Sequence, residues 1–165
     1  MRVVGIDPGQ TGGIALLTPR TVSARVMPLL PKEEWKDAGS PIDWRTFHPL
    51  LLEWAPDIVI VERVSSMPGQ GVASTFRFGS NYGGLLAVVH GLAIQCRLVV
   101  PRVWKRYVLG EDFAHDKAGA AAFVEHHHPE LSLLPTPRSK KPHDGMADAI
   151  CIAHYAATEH AKRMP

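Results

Sequence analysis

The sequence predicts an α/β fold with five strands, and three observations carry that prediction. The chain opens on two apolar runs, Val3-Val-Gly-Ile6 and Ile14-Ala-Leu-Leu17, with a carboxylate, a proline and three glycines between them, the punctuation of a β-hairpin. Farther on, Ile58-Val-Ile-Val61 is a run of four β-branched residues suited to a strand buried on both faces, and segments of helical apolar period flank it. The 165 residues, 45% hydrophobic and 21% charged, match ordinary globular usage for one domain from residue 1 to 165 whose core needs no staples.

Taken in order, Val3 to Ile6 forms the first strand and Ile14 to Leu17 begins its return. Thr21 to Met27 alternates well enough for a third strand, completing an antiparallel meander. Residues 28–41 hold three prolines, Gly39 and the run Lys32-Glu-Glu-Trp-Lys-Asp37, and read as an exposed loop in which Trp35 either covers a core edge or serves binding. Asp43 caps a helix from Trp44 to Trp54 with Phe47, Leu50, Leu51 and Trp54 on one face, and Pro49 weakens its first turn. After the strand at 58–61 comes a polar connection, 65–74. A helix from Val72 to Leu92 follows, whose Gly79, Gly83, Gly84 and Gly91 predict close approach to another backbone, a helix or a nucleic-acid strand. Gln95 to Val100 is the fifth strand. Arg102-Val-Trp-Lys-Arg-Tyr-Val108 reads as a short basic turn with aromatic residues between its charges. Asp116 caps a helix from Lys117 to His128 that packs through Ala118, Ala121, Ala122 and Val124. A loop from Pro135 to Pro142 carries Arg138, Lys140 and Lys141, and His143 to Tyr155 is the last helix.

The chemistry lies in acids at element ends. Asp7 closes the first strand, where an unpartnered carboxylate is costly. Its partner is a metal ion, a lysine or turn amides, the last as an Asx-turn with Gly9 to Thr11. Glu62 closes a second core strand in the same way, and two parallel strands side by side set both acids at one edge of the sheet, where α/β sites form. Asp144 and Asp148, four apart, share a face near the positively polarised end of the last helix. Four mutually repelling acids come together at least cost around divalent cations. The run His126-His-His128 is no rival site, because adjacent side chains on a helix point about 100° apart. Cys96 and Cys151 lack CxxC spacing and read as buried thiols of a reducing compartment. The net charge of +2 identifies no partner alone, since site carboxylates dilute a basic face. No apolar run has the length of a membrane span and the opening lacks a signal-peptide core, so a soluble intracellular protein with no membrane partner is expected.

This order of strand Asp, strand Glu and helix-borne acids resembles the ribonuclease H-like superfamily, and within it the RuvC-type Holliday-junction resolvases. The matching stretches are Gly5-Ile-Asp-Pro-Gly9, Ile60-Val-Glu62, Phe78-Gly-Ser-Asn-Tyr-Gly83, Pro101-Arg-Val-Trp-Lys105, Asp116-Lys117 and Ala147-Asp-Ala149, which run almost from end to end of the chain. The resemblance implies a five-stranded mixed sheet with helices on both sides, a homodimer, and nicking of two strands of a four-way DNA junction with Mg²⁺ or Mn²⁺, two ions per active site. It carries metal-ligand roles to Asp7, Glu62 and Asp148, with Asp144 in the fourth place, and places Lys105 and Lys117 near the scissile phosphate. The basic residues Arg102, Lys105, Arg106, Lys117, Arg138, Lys140 and Lys141 are then expected to line the DNA face. It also implies the cytoplasm of a bacterium or a phage-infected host, and names no branch-migration partner.

Three features depart from the family. Its aromatic wedge after the strand glutamate has no counterpart in Arg63-Val-Ser-Ser-Met67, which leaves Phe76 or Phe78 either to stack at the junction centre or to serve the core. Residues 28–41 have no clear counterpart either and look more like a phage-type member. The family also places an acid or histidine three residues before its final aspartate, where this chain has Gly145. Asp144, about 40° from Asp148 on a helix, is therefore the expected fourth ligand, with N-cap of that helix as its alternative role, and His143, about 140° away, is disfavoured unless the helix begins after it. Competing readings are a related nuclease for RNA–DNA hybrids or flaps and a non-catalytic junction-binding module. A third is an actin-like or sugar-kinase phosphate-binding domain, for which the chain is too short.

Overall fold

The computed structural model of the chain describes residues 1–65, 69 and 71–158. Five strands, β1 (Val3–Asp7), β2 (Gly13–Leu17), β3 (Val22–Val26), β4 (Ile58–Glu62) and β5 (Gln95–Val99), form one sheet in the order β3-β2-β1-β4-β5. The β1–β2 and β2–β3 pairs are antiparallel, while β4 lies parallel to both β1 and β5. The mixed sheet expected from the sequence is therefore present, with the meander on one side and the parallel strands on the other.

The period of two in each strand sorts its side chains between two cores. Val4, Ile6, Val59 and Val61 face one core, where α2 (Trp44–Trp54) contributes Phe47, Leu50, Leu51 and Trp54 and α3 (Val72–Gly91) contributes Leu85 and Val89. Val3, Ile58 and Ile60 face the other, built with α5 (Lys117–His127) and α6 (Asp144–Tyr155) through Ala120, Phe123, Ala149 and Ile150. Helices thus cover both faces. Helix α6 lies very close to β1, since a Cβ on Gly5 would collide with the backbone of Ala149 and Ala153. Only glycine permits that approach.

Several expectations are corrected. Residues 28–41 are not simply loop: a 3₁₀ turn, Lys32–Glu34, runs into a short helix α1 (Trp35–Ala38), and Leu29 bridges to Ile42. Residues 102–108 are no turn, because Pro101 opens a helix α4 (Pro101–Trp104) that continues as a π-helical stretch, Lys105–Leu109. Proline at the first helical position has φ already set and no amide to waste, which is the helix signal that the basic composition obscures. Helix α5 is rotated by about one residue from its expected face, burying Gly119, Ala120, Phe123 and Val124 and leaving Ala118 and Ala122 exposed. Asp116 caps it as expected, accepting from the Gly119 amide at 2.9 Å. Most of the first half of the connection 65–74 lies outside the described residues, including Ser66 and Met67 after Glu62. No helix among the described residues is long and apolar enough to cross a membrane.

Candidate active site

Strand parity and register bring the first two acids together. Asp7 and Glu62 have the parity of Val3 and Ile58, so both project to the α6 side of the sheet. In the β1–β4 register Ile6 faces Val61, which sets Asp7 and Glu62, the next residue on each strand, side by side. The start of α6 is seated on the β1–β2 turn through glycines: a Cβ on Gly13 would strike Gly145, and one on Gly145 would lie 2.5 Å from the Gly12 Cα. That seating brings Asp148 to the two strand acids. It also closes the position three residues before Asp148 to any side chain, which is why no acid stands there.

The three acids feel one another. Burial first, then the neighbouring charges of Asp7, Glu62 and Asp144, together raise the Asp148 carboxyl to about 7 against the opposing charge of Lys105. Burial likewise pushes Asp7 up, against the Gly9 amide and the charges of His143 and Lys117. Glu62 is raised by burial and by Asp7, and lowered by its hydrogen bond from Trp104. Each acid but one has a partner in this frame. The Gly9 amide donates to Asp7 Oδ1 at 3.3 Å, so the Asx-type contact exists alongside the acid cluster. Trp104 Nε1 donates to Glu62 Oε2 at 2.7 Å. Asp148 Oδ1 is buried with no hydrogen-bond partner among the described residues.

A cavity of about 320 Å³ opens here, lined by Asp7, Thr11, Lys117, His143, Asp144 and Asp148. Asp144 pairs with Lys117 at 3.1 Å, and this contact holds the lysine ammonium above its ordinary value. The cap of α6 is His143, whose Nδ1 accepts from the Met146 amide at 3.3 Å; Asp144 is the first helical residue. This corrects both the helix start and the alternative role of Asp144. With His143 outside the helix, the 140° separation no longer applies to it, and its ring lines the same cavity.

Among the described residues no three His, Cys, Asp or Glu side chains converge tightly enough to hold a metal as they stand. The donor set nevertheless fits one. Asp7, Glu62 and Asp144 lie near enough to Asp148 to raise its carboxyl, and the orphaned Asp148 oxygen is a buried acceptor of the hard type that Mg²⁺ takes.

Of the expected basic residues, Lys105 and Lys117 are brought to the acids. Lys105 Nζ also donates to the His115 carbonyl at 3.2 Å and lies 5.4 Å from the Trp104 ring centroid. Arg102 and Arg106 are exposed on the helical stretch after β5, and Arg138, Lys140 and Lys141 are exposed on the loop that ends at Pro142, beside the acid cavity. Phe76 is 74% exposed, which removes the core reading for it, whereas Phe78 is half-buried. In the histidine run, His128 and His154 meet at 2.7 Å through their Nε2 atoms, and His127 packs on Phe123. Trp104 is the site residue that sequence reasoning missed. Its signal was Pro101 as a helix start, which places position 104 on a first turn packed against the sheet.

No protein-family profile matches the chain, and no curated protein matches it either. Solved structures do. Thermus thermophilus RuvC in complex with a Holliday junction substrate superposes with a TM-score of 0.64 at 18% identity, over 99% of this chain and 97% of that one. A second Thermus thermophilus RuvC structure gives 0.63 at 22% identity, over 98% and 96%. The yeast mitochondrial Holliday junction resolvase Ydc2 gives 0.61 at 16% identity, over 93% and 76%. The chain therefore has the ribonuclease H-like fold of RuvC over nearly the whole length of both.

Proposed function

We propose that the chain is a divalent-metal-dependent endonuclease that cuts four-way DNA junctions as a homodimer. The observation that carries this reading is the meeting of Asp7, Glu62 and Asp148 on one face of the sheet, with the Asp148 Oδ1 buried and unpartnered. The solved structures with this fold include one bound to a Holliday junction and one described as a Holliday junction resolvase, which points the nuclease reading to branched DNA.

Asp7, Glu62 and Asp148 would hold Mg²⁺ or Mn²⁺, with Asp144 as the fourth ligand. Two such ions, when bound, neutralise the carboxylates, activate water and stabilise the leaving 3′ oxygen. The protein groups do the rest. Trp104 fixes the rotamer of Glu62, and the Gly9 amide holds Asp7. Lys117, exposed and tethered to Asp144, supplies positive charge at the mouth of the cavity where a phosphate enters. Lys105 supplies it from the Glu62 side.

Helix α3 supports the dimer. Val72, Phe76, Gly79 and Gly83 recur at helical spacing on one stripe; Val72 is 87% exposed, and a Cβ on Gly79 or Gly83 would meet open space. Gly84 is not part of it, because Trp44 packs directly over that position. An isologous pair of such stripes gives two identical sites, matching the symmetry of a junction.

A gel assay tests the proposal: four-way junction, fork, flap, linear duplex and RNA–DNA hybrid, each with Mg²⁺. The expected outcome is preferred cutting of the junction by paired nicks in opposed strands. Preferred cutting of the hybrid or the flap would reassign the substrate.

A further inference from the structure

The indole of Trp104 is fully buried in the core that also holds Ile60 of β4 and Met146 and Ile150 of α6, so packing sets its place. Helix α4 delivers it there: Pro101 opens the helix just after β5, and the Trp104 amide donates back to the Val100 carbonyl at 3.3 Å. From that position Nε1 donates to Glu62 Oε2 at 2.7 Å. An indole N–H donates one bond and accepts none, and leaving it unpaired inside a core is costly, so the carboxylate conforms to the ring. Glu62 is left with Oε1 to offer a cation. Asp7 is engaged in the same way, its Oδ1 accepting from the Gly9 amide at 3.3 Å. Each strand acid thus has one oxygen held by the protein, and the two offer single oxygens rather than chelating pairs. That distinction separates the hard cations. Mg²⁺ demands near-octahedral geometry and keeps several of its waters, whereas Ca²⁺ accepts more oxygens in a looser shell and takes carboxylates through both oxygens.

We propose that Trp104 is a positioning residue that sets the cation preference of the acid site: by holding Glu62 Oε2 it confines Glu62 to ligation through one oxygen, which favours Mg²⁺ over Ca²⁺. The inference rests on the metal-dependent reading above and adds to it which residue governs the choice of metal. Of the two groups that engage the strand acids, Gly9 acts through its backbone and Trp104 through a side chain, so the preference can be removed by substitution only at Trp104. Without the N–H, both Glu62 oxygens become free to chelate. The larger ion then gains a ligand that the smaller one has no room to use.

The test measures Mg²⁺ and Ca²⁺ binding by calorimetry, without DNA, for wild type, Trp104→Phe and a protein carrying 3-benzothienylalanine at position 104. The last has the shape of the indole with sulfur in place of the N–H, so it removes the donor and keeps the packing. Both substitutions retain an aromatic face for Lys105, whose Nζ lies 5.4 Å from the ring centroid. In both, the ratio of Ca²⁺ to Mg²⁺ affinity should rise roughly tenfold over wild type, the size of effect that outer-shell partners of metal ligands have on affinity. A ratio within about twofold of wild type in the benzothienylalanine protein would overturn the inference, because packing is then all that Trp104 supplies. Mg²⁺ binding that persists in that protein with an unchanged ratio leaves the metal-dependent reading standing. A wild type that binds neither cation would overturn both.

Discussion

At the scale of single residues, Asp148 is where folding and the proposed function pull apart. Its carboxyl titrates at about 7 in the fold against an ordinary value of 3.8, so the folded chain binds the proton more tightly than the unfolded one. Stability from this group is complete below about 4 and is lost as pH rises through about 7. In EDTA, the melting-temperature advantage of Asp148→Asn over wild type should therefore widen between pH 5 and pH 8, and Mg²⁺ should narrow it. A gap that stays flat with pH would show that the carboxylate is not strained. The proposed fourth ligand is tested one turn earlier. Because the His143 ring caps α6, Asp144→Asn leaves the helix intact, and it should abolish Mg²⁺-dependent cutting with little change in melting. His143→Ala should cost about 1 kcal/mol of stability through the lost cap yet retain most cutting. The reverse pattern, with His143 essential and Asp144→Asn active, would move the ligand to the imidazole that lines the same cavity.

At the scale of elements, the exposed stripe of α3 has a consequence that its glycines alone do not. Light scattering should find a dimer at assay concentrations, and Gly79→Arg, which places a long charged side chain in the open space over that position, should yield a monomer of unchanged melting behaviour. A monomeric wild type whose activity is linear in enzyme would contradict the dimer. Elements with strong local signals were legible in the sequence: the strands from β-branched runs, α2 from its aspartate cap and apolar face, and α3 from its period. The elements misread were those whose signal was tertiary. Residues 102–108 looked like a basic turn because charge dominated the composition, while the buried Trp104 that makes the stretch a packed helix is visible only against the sheet. The rotation of α5 had the same origin, for in an alanine-rich helix several faces look equally apolar and packing against α6 selects one. Gly84 belonged to a different contact from Gly79 and Gly83, since the sequence does not show Trp44 lying over it.

At the scale of the whole molecule, the site follows from sheet parity and one seated helix. The acids at strand ends were legible because a carboxylate closing a core strand is costly, and parallel neighbours put two such ends together. The convergence of Asp148 was legible only as a resemblance, because it depends on glycine-to-glycine contacts between the β1–β2 turn and α6 that no spacing rule reveals. These acids are proposed to make one metal-dependent cutting site. Its most direct test is Mg²⁺-dependent cleavage of a four-way junction by wild type and Asp7→Asn side by side. Wild type should make paired nicks, and Asp7→Asn should cut at a rate lower by roughly a hundredfold or more, with junction binding at least as tight because a negative charge near the phosphates is gone. Near-normal Mg²⁺-dependent cutting by Asp7→Asn would contradict it.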